Sequence, residues 1–457
     1  MAERKNHVDM TSGPLFWKII RFYLPLAMSY ILQLLFNAAD LVIIGRFSSA
    51  ESLAAVGASG VITNLLLNGV IGFSISANVL VGQFFGAKDY HNTVRAVHSG
   101  IHTAIVAGVG IGMIGVSISH TLLVWTGVPE EIFDKALTYV VVIFIATPFI
   151  TICNFGSAVL RAVGDTKRPF YFLTIAGILN VLLNIIFVAC FHWDVFGVAF
   201  ATFLSQGLAA FLIFRTLLVS HGAVALRISM LKFDRDMFKK IFQIGLPAGL
   251  QSSCYSISNV VIQSTINSFG TAVIAGSTAA ASIEGFLYIS TWSFHQTAVS
   301  FAGQNYGAKL FKRIKKAALY CVADGVVMLS VPVLLVVLFR WQLLSFFSSD
   351  PEVVKWGASR ILLIFPFYMI ILMSDTITGI IRGLGKTFAS AMLIFFFVLV
   401  FRILWVNFVM PYHHTWLTLI LSYPLSWFGS MVSSLLMLRY FLKKLDPARQ
   451  KQHLIQI

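Results

Sequence analysis

Long apolar runs alternate with short polar links along the whole chain. A membrane-spanning helix needs about 20 mostly apolar residues. That length fits twelve times, with centres near Ile31, Ile71, Val109, Thr147, Asn180, Ser205, Ile257, Ser290, Met328, Tyr368, Val398 and Met431. The links are short except for a polar stretch after the sixth span, from about Ser220 to Phe238. The N-terminus is polar up to Pro14 and then enters an apolar run at Leu15. That run is too long for a signal-peptide core and has no small-residue cleavage site, so it reads as an uncleaved first span. The pattern predicts an all-α polytopic membrane protein of twelve transmembrane helices in two six-helix halves. The halves fall at 1–219 and 239–445, with a linker at 220–238 and a tail at 446–457.

The two halves resemble each other. GQFFGAK at Gly82–Lys88 recurs as GQNYGAK at Gly303–Lys309, an offset of 221. VLRAVGDT at Val159–Thr166 recurs as IIRGLGKT at Ile380–Thr387 with the same offset. Leu24-Pro25 recurs at Leu246-Pro247. Six is an even number of spans, so both halves enter from one side as a parallel repeat, an organisation that places a substrate path between the halves.

Composition agrees with a membrane class. Hydrophobic residues make up 58% and charged residues only 11% of the 457, against about a quarter charged in a soluble protein. The net charge of +15 raises nucleic-acid binding. The basic residues, however, sit in short clusters between apolar runs rather than on one soluble face. Lys88, Arg95, Arg161, Lys167, Arg168, Arg227–Lys240, Lys309–Lys316, Arg382 and Lys386 fall on even-numbered links or their helix ends. The positive-inside rule then puts both termini in the cytoplasm of a multi-pass cell-membrane protein with no nucleic-acid partner. Cys153, Cys190, Cys254 and Cys321 are single and mostly within spans, and read as small hydrophobes.

The first span, LPLAMSYILQLLFNAADLVIIGRF followed by LAAVGA, the paired GQ..GAK ends and the paired R..G turns together resemble the multidrug and toxic compound extrusion (MATE) family. The resemblance covers essentially the whole chain and points to the bacterial DinF/NorM-like branch. It implies two six-helix lobes facing a central cavity. It also implies export of organic, usually cationic and aromatic, small molecules driven by inward flow of Na⁺ or H⁺. No other cofactor is implied, and the expected working form is a monomer in the lipid bilayer.

An ionisable side chain within the hydrocarbon is expensive, so each one is a functional candidate. Asp40, Glu284, Asp324 and Asp375 are the carboxylates inside spans. Asp40 shares a face of the first helix with Gln33, Asn37 and Ile44 by the three-to-four spacing. Asn180 and Asn184 share a face of the fifth helix, and Thr202 lies in the sixth. Their amide and hydroxyl oxygens suit a small hard cation and equally suit interhelical hydrogen bonds. The resemblance implies that Asp40, Asn180, Asn184 and Thr202 form the N-lobe cation-coupling site, a metal site if the ion is Na⁺. Some members carry a second Asp where this chain has Asn184. The second lobe departs from the family's best-known Na⁺ ligand set, with Tyr255 and Ile371 at its two acidic positions. Glu284 and Asp375 are therefore the candidates for a second acidic site. Asp324 is placed to pair with Lys315 or Lys316, and His295 reads as a packing residue. Pro25 removes a backbone donor inside the first span and is the hinge candidate.

No Walker sequence or cluster of catalytic polar residues appears, so neither an ATP-driven pump nor an enzyme is expected. GVGIGMIG in the third span reads as a helix-packing surface. A lipid-linked precursor flippase of the same superfamily is the alternative. It would need several buried arginines, and only Arg402 sits deep in a span on this reading.

Overall fold

The computed structural model of the chain describes residues 7–445; the tail expected at 446–457 lies outside them. The helices are α1 Leu15–Phe47, α2 Ala50–Gly86, α3 Tyr90–Trp125, α4 Glu130–Ala162, α5 Lys167–Asn184, α6 Asp194–Val219, α7 Arg235–Asn267, α8 Thr271–Gly307, α9 Phe311–Leu338, α10 Arg340–Ser345, α11 Pro351–Ile364, α12 Tyr368–Gly383, α13 Thr387–Ile394, α14 Phe401–Leu404 and α15 Trp416–Lys444. Three of the twelve expected spans are interrupted helices. α5 runs on through π turns at Ile185–Cys190. α11 and α12 join through a 3₁₀ turn, Phe365–Phe367, that contains Pro366. α13 and α14 join through π turns at Phe395–Val400 and continue as Trp405–Val409. Among the described residues, eleven of these helical stretches are long and apolar enough to cross a membrane. The twelfth, α7, falls short because Gln251, Ser252, Ser253, Ser256, Ser258 and Asn259 occupy its middle.

The repeat is built into the backbone as well as the sequence. α2 ends with Lys88 in the left-handed region (φ 58°), and α8 ends the same way at Lys309 (φ 57°). At both ends the last turn closes by paired bonds, Asp89 N to Phe84 O with Lys88 N to Phe85 O, and Leu310 N to Asn305 O with Lys309 N to Tyr306 O. This is a Schellman closure, which satisfies carbonyls that the helix end would otherwise leave open. The R..G turns do likewise, with Gly164 (φ 96°) and Gly385 (φ 79°) at matching positions. Glycine is favoured at those two turns by its freedom at positive φ, and at Gly164 a Cβ would also lie 2.3 Å from the Val8 carbonyl oxygen.

Close-packed glycines let helix backbones approach within each half. A Cβ on Gly108 would lie 2.7 Å from Pro148 Cα, and one on Gly112 would lie 2.8 Å from the Phe144 carbonyl. The glycine run of α3 is thus its packing surface against α4. In the other half, Gly379 and Gly383 of α12 face the His295 and Val299 carbonyls of α8, where a Cβ would approach to 2.6 Å. Small residues four apart are how helices associate without a hydrophobic driving force.

Two compact units result, and their limits differ from the linker boundaries read in the sequence. One comprises Leu24–Gly249 with the short stretch ending at Val8; the other comprises Asp9–Tyr23 with the chain from Leu250 on. The divisions fall within α1 beside Pro25 and within α7 beside Pro247. The local packing accounts for both. The start of α1 is held by α8, with Tyr23 stacked on Phe294 at 4.1 Å and its hydroxyl donating to Ser290 at 3.1 Å. The start of α7 lies on α2, where a Cβ on Gly72 would come within 2.7 Å of the Ala248 carbonyl.

Candidate functional site

The first unit brings Asp40, Asn180, Asn184 and Thr202 into one hydrogen-bonded chain. Asn184 Nδ2 donates to Asp40 Oδ1 at 2.5 Å and lies 3.3 Å from Asn180 Oδ1. Asn180 Nδ2 reaches Thr202 Oγ1 at 3.4 Å, and that hydroxyl donates to the Val198 carbonyl at 3.1 Å. Asn184 is fully buried and Asn180 nearly so. Of the other residues expected on the Asp40 face, Asn37 is exposed and Ile44 is buried among apolar neighbours.

One glycine explains how α1 and α5 come close enough to form this chain. A Cβ on Gly177 would fall 1.8 Å from the Phe36 ring, so the two helices meet where α5 has no side chain. Asp40 follows Phe36 by one turn, and Asn180 and Asn184 follow Gly177 by one and two turns on the same face. The π turns that begin at Ile185 then re-aim the helix immediately after Asn184. A buried apolar cluster that includes Ile43, Ile44, Val56, Val140, Val188 and Val198 packs beside the polar chain. Filling the glycine should pull the two helices apart. Gly177→Ala is expected to cost about 1–3 kcal/mol by overpacking and to lower transport more than stability. A thermal melt and an efflux assay check this, with Phe36→Ala in the same chain restoring both.

The oxygens of this chain fit a cation. Asn184 Oδ1 is buried and has no hydrogen-bond partner. A buried acceptor without a donor costs free energy comparable to a lost hydrogen bond. A Na⁺, or a proton carried on the Asp40 carboxyl, would supply what that oxygen lacks.

The second unit is polar in different places. Counted from the repeat, the position of Asp40 is taken by Ile262, which is fully buried. Glu284 of α8 instead accepts from Arg360 Nη2 of α11 at 2.8 Å and from the Tyr368 hydroxyl of α12 at 2.6 Å. Arg360 Nη1 also donates to Ser277 at 2.5 Å. The Tyr423 ring of α15 faces two guanidinium groups, Arg402 at 4.4 Å and Arg360 at 5.7 Å. Arg402 donates to Ser426 at 3.1 Å and to Ser258 at 3.3 Å. Asp375 lies apart from the glutamate pair and accepts from the Tyr255 hydroxyl at 3.3 Å. The Asp375 main-chain carbonyl accepts from His295 Nδ1 at 2.7 Å, and His295 Nε2 faces Arg382 Nη1 at 3.3 Å. Arg382 further donates to Gln251.

The family follows from comparison with known sequences. The MatE family model matches residues 25–186 and again 247–408, once in each half. The chain belongs to the MATE family. This MATE transporter is 28% identical over 378 residues to "Probable multidrug resistance protein YpnP" of Bacillus subtilis strain 168, covering 82% of this chain and 84% of that one. It is 22% identical over 364 residues to the "FAD transporter" of Shewanella oneidensis MR-1, covering 79% and 80% respectively. Its fold is similar to that of an outward-facing MATE-family multidrug resistance transporter. The TM-score is 0.87 at 22% identity, over 96% of this chain and 98% of the other.

Three features of the transporter escaped the sequence reading. Arg161, Arg360 and Arg382 are buried along with Arg402, so among the described residues the helices hold four buried arginines rather than one. Arg360 could have been noticed from its place eight residues before the centre of the tenth span. Asp324 forms no ion pair with Lys315 or Lys316; it is buried, with Oδ2 unpartnered. Those lysines sit about 12 Å or more down the helix axis, beyond the reach of the side chain. Tyr139 of α4, which packs against the apolar cluster of Ile43 and Ile44 next to Asp40, carried no signal in the sequence.

Proposed function

We propose that this MATE transporter is a cation-coupled antiporter. On this reading it exports organic, cationic, drug-like compounds across the cytoplasmic membrane against inward flow of Na⁺ or H⁺. The observation that carries the proposal is the half-buried Asp40 carboxylate held by the amide of Asn184, whose own buried oxygen has no partner. Asp40 alternates between a charged state, in which it accepts from Asn184, and a neutralised state bearing a proton or Na⁺. Only the second is cheap to keep out of water. Loading from outside therefore biases the conformational equilibrium by the difference in cation affinity between the two states. Pro25 donates no N–H to the preceding turn, and Ser29 Oγ bonds the Pro25 carbonyl at 2.7 Å, which supports Pro25 as the hinge of α1. Glu284 and Asp375 remain the second acidic candidates. The basic links put both termini in the cytoplasm.

A second reading concerns the charge of the cargo. Arg402 is buried, and its hydrogen bonds go to serines rather than a carboxylate. This favours an anionic substrate, as for the relative named as an FAD transporter or for a lipid-linked precursor flippase. Efflux from proteoliposomes decides between them. Ethidium loss that follows an imposed Na⁺ or H⁺ gradient supports the antiporter and names the ion. Failure under both gradients, with FAD or a lipid-linked precursor moved instead, supports the second reading.

A further inference from the structure

The link between α6 and α7 is an ordered strap with an apolar, basic outer face. Val224, Leu226 and Met237 are buried under it, and Leu226 N bonds Leu217 O at 2.9 Å. Arg227 N donates to His98 Nε2 of α3 at 2.9 Å, and His98 Nδ1 meets the Val94 carbonyl at 2.7 Å. Asp234 accepts from Arg95 at 2.7 and 2.8 Å and from Met237 N at 3.1 Å, which pins the start of α7. Between these anchors, Ile228 is 67% exposed, Met230 46% and Phe233 60%, and Arg227, Lys232 and Arg235 are exposed among them.

Outside the spans, exposed apolar side chains set this closely together and rimmed by charge mark a contact site for a protein or a membrane. The height of the strap identifies the partner. α3 has 36 residues and is about 54 Å long, against a hydrocarbon core of about 30 Å. Its first turns carry His91, Asn92, Arg95, His98 and His102, so they stand outside the core. The strap lies along those turns, and Phe233 reaches the His102 ring at 6.2 Å, where the polar turns give way to Thr103, Ala104 and Ile105. The outer face of the strap is therefore level with the lipid headgroups at that end of the bundle. Apolar side chains interleaved with cations are the composition that binds an anionic lipid surface.

We propose that residues 227–235 form an interfacial anchor. It buries Ile228, Met230 and Phe233 at the acyl boundary and collects anionic headgroups on Arg227, Lys232 and Arg235. The partner is an anionic phospholipid surface, and the link acts as a fixed float for the first unit.

The full-length protein tests this in nanodiscs of phosphatidylcholine alone or with phosphatidylglycerol. Cys190 and Cys254, the two native thiols that are not buried, are changed to Ser, and Phe233→Cys is labelled with an environment-sensitive dye. The expected result is a blue-shifted emission, several-fold brighter with phosphatidylglycerol, quenched by brominated acyl chains and shielded from aqueous iodide. Arg227→Gln, Lys232→Gln and Arg235→Gln together remove the dependence on phosphatidylglycerol. Water-like emission open to iodide in both lipids overturns the proposal. So does a blue shift that grows with the number of protein copies per disc, because that result assigns the face to a second chain. If the Phe233→Cys protein melts early, Ile228→Cys gives the same readout from the other side of the strap.

Discussion

Asp40→Asn is expected to reduce gradient-driven efflux to the level of protein-free liposomes while leaving substrate binding within a few-fold of the wild type. Asparagine has nearly the shape of aspartate and can still accept from Asn184 Nδ2, the bond now made at 2.5 Å, so the contact between α1 and α5 survives. What disappears is the ability to change charge. A buried carboxylate is stable only when neutralised or paired, and the substituted amide has no charge for an inward-moving cation to neutralise. The two conformational states then bind the cation equally, and a ligand with equal affinity for both states shifts nothing. Ethidium or tetraphenylphosphonium binding to detergent-solubilised protein, measured beside efflux, separates coupling from binding. Loss of both together would make Asp40 a substrate or folding residue and end the coupling reading. Efflux retained in the mutant would move the search to Asp375 and Glu284.

How much of this was legible in the sequence depends on how far apart the interacting residues lie. Hydropathy placed most of the spans, because twenty apolar residues in a row have few other uses; α7, with its polar middle, is the exception. The repeat was readable because GAK and the R..G turn encode helix ends, and their left-handed positions, Lys88 with Lys309 and Gly164 with Gly385, recur at the same offset in the backbone. The glycine run of α3 was readable for a similar local reason. The Asp40 cluster was not. Asp40 and Asn184 are 144 positions apart, and only the family resemblance put them together; the cause of their meeting, Gly177 against Phe36, left no trace in any pattern. Asp324 was misassigned because closeness along a helix was taken for contact, although side chains meet at three or four residues and not at eight or nine. Arg360 was missed because hydropathy scores a buried arginine as it scores an exposed one, and its partner Glu284 lies 76 residues away.

That missed pair is where the second large effect is expected. Arg360→Ala or Glu284→Ala should each destabilise the protein by about 3–5 kcal/mol, because removing one member of a buried pair strands the other charge. The cost falls toward the top of that range for Glu284→Ala, which also leaves the Tyr368 hydroxyl without its acceptor and leaves Arg360 and Arg402 facing the same Tyr423 ring with no anion beside them. Replacing both at once, Glu284→Leu with Arg360→Met, removes the charges together. It should return the melting temperature close to that of the wild type, since well-packed apolar residues often match a buried ion pair. The double variant therefore separates the two roles open to Glu284. If it melts near the wild-type temperature and still exports under a gradient, Glu284 is a structural partner of Arg360 and the second acidic site, if the cycle uses one, is Asp375. If it is stable but uncoupled, Glu284 exchanges Arg360 for a cation during the cycle. In that case the ion pair is the resting form of a second coupling site, in a unit that lacks an equivalent of Asp40.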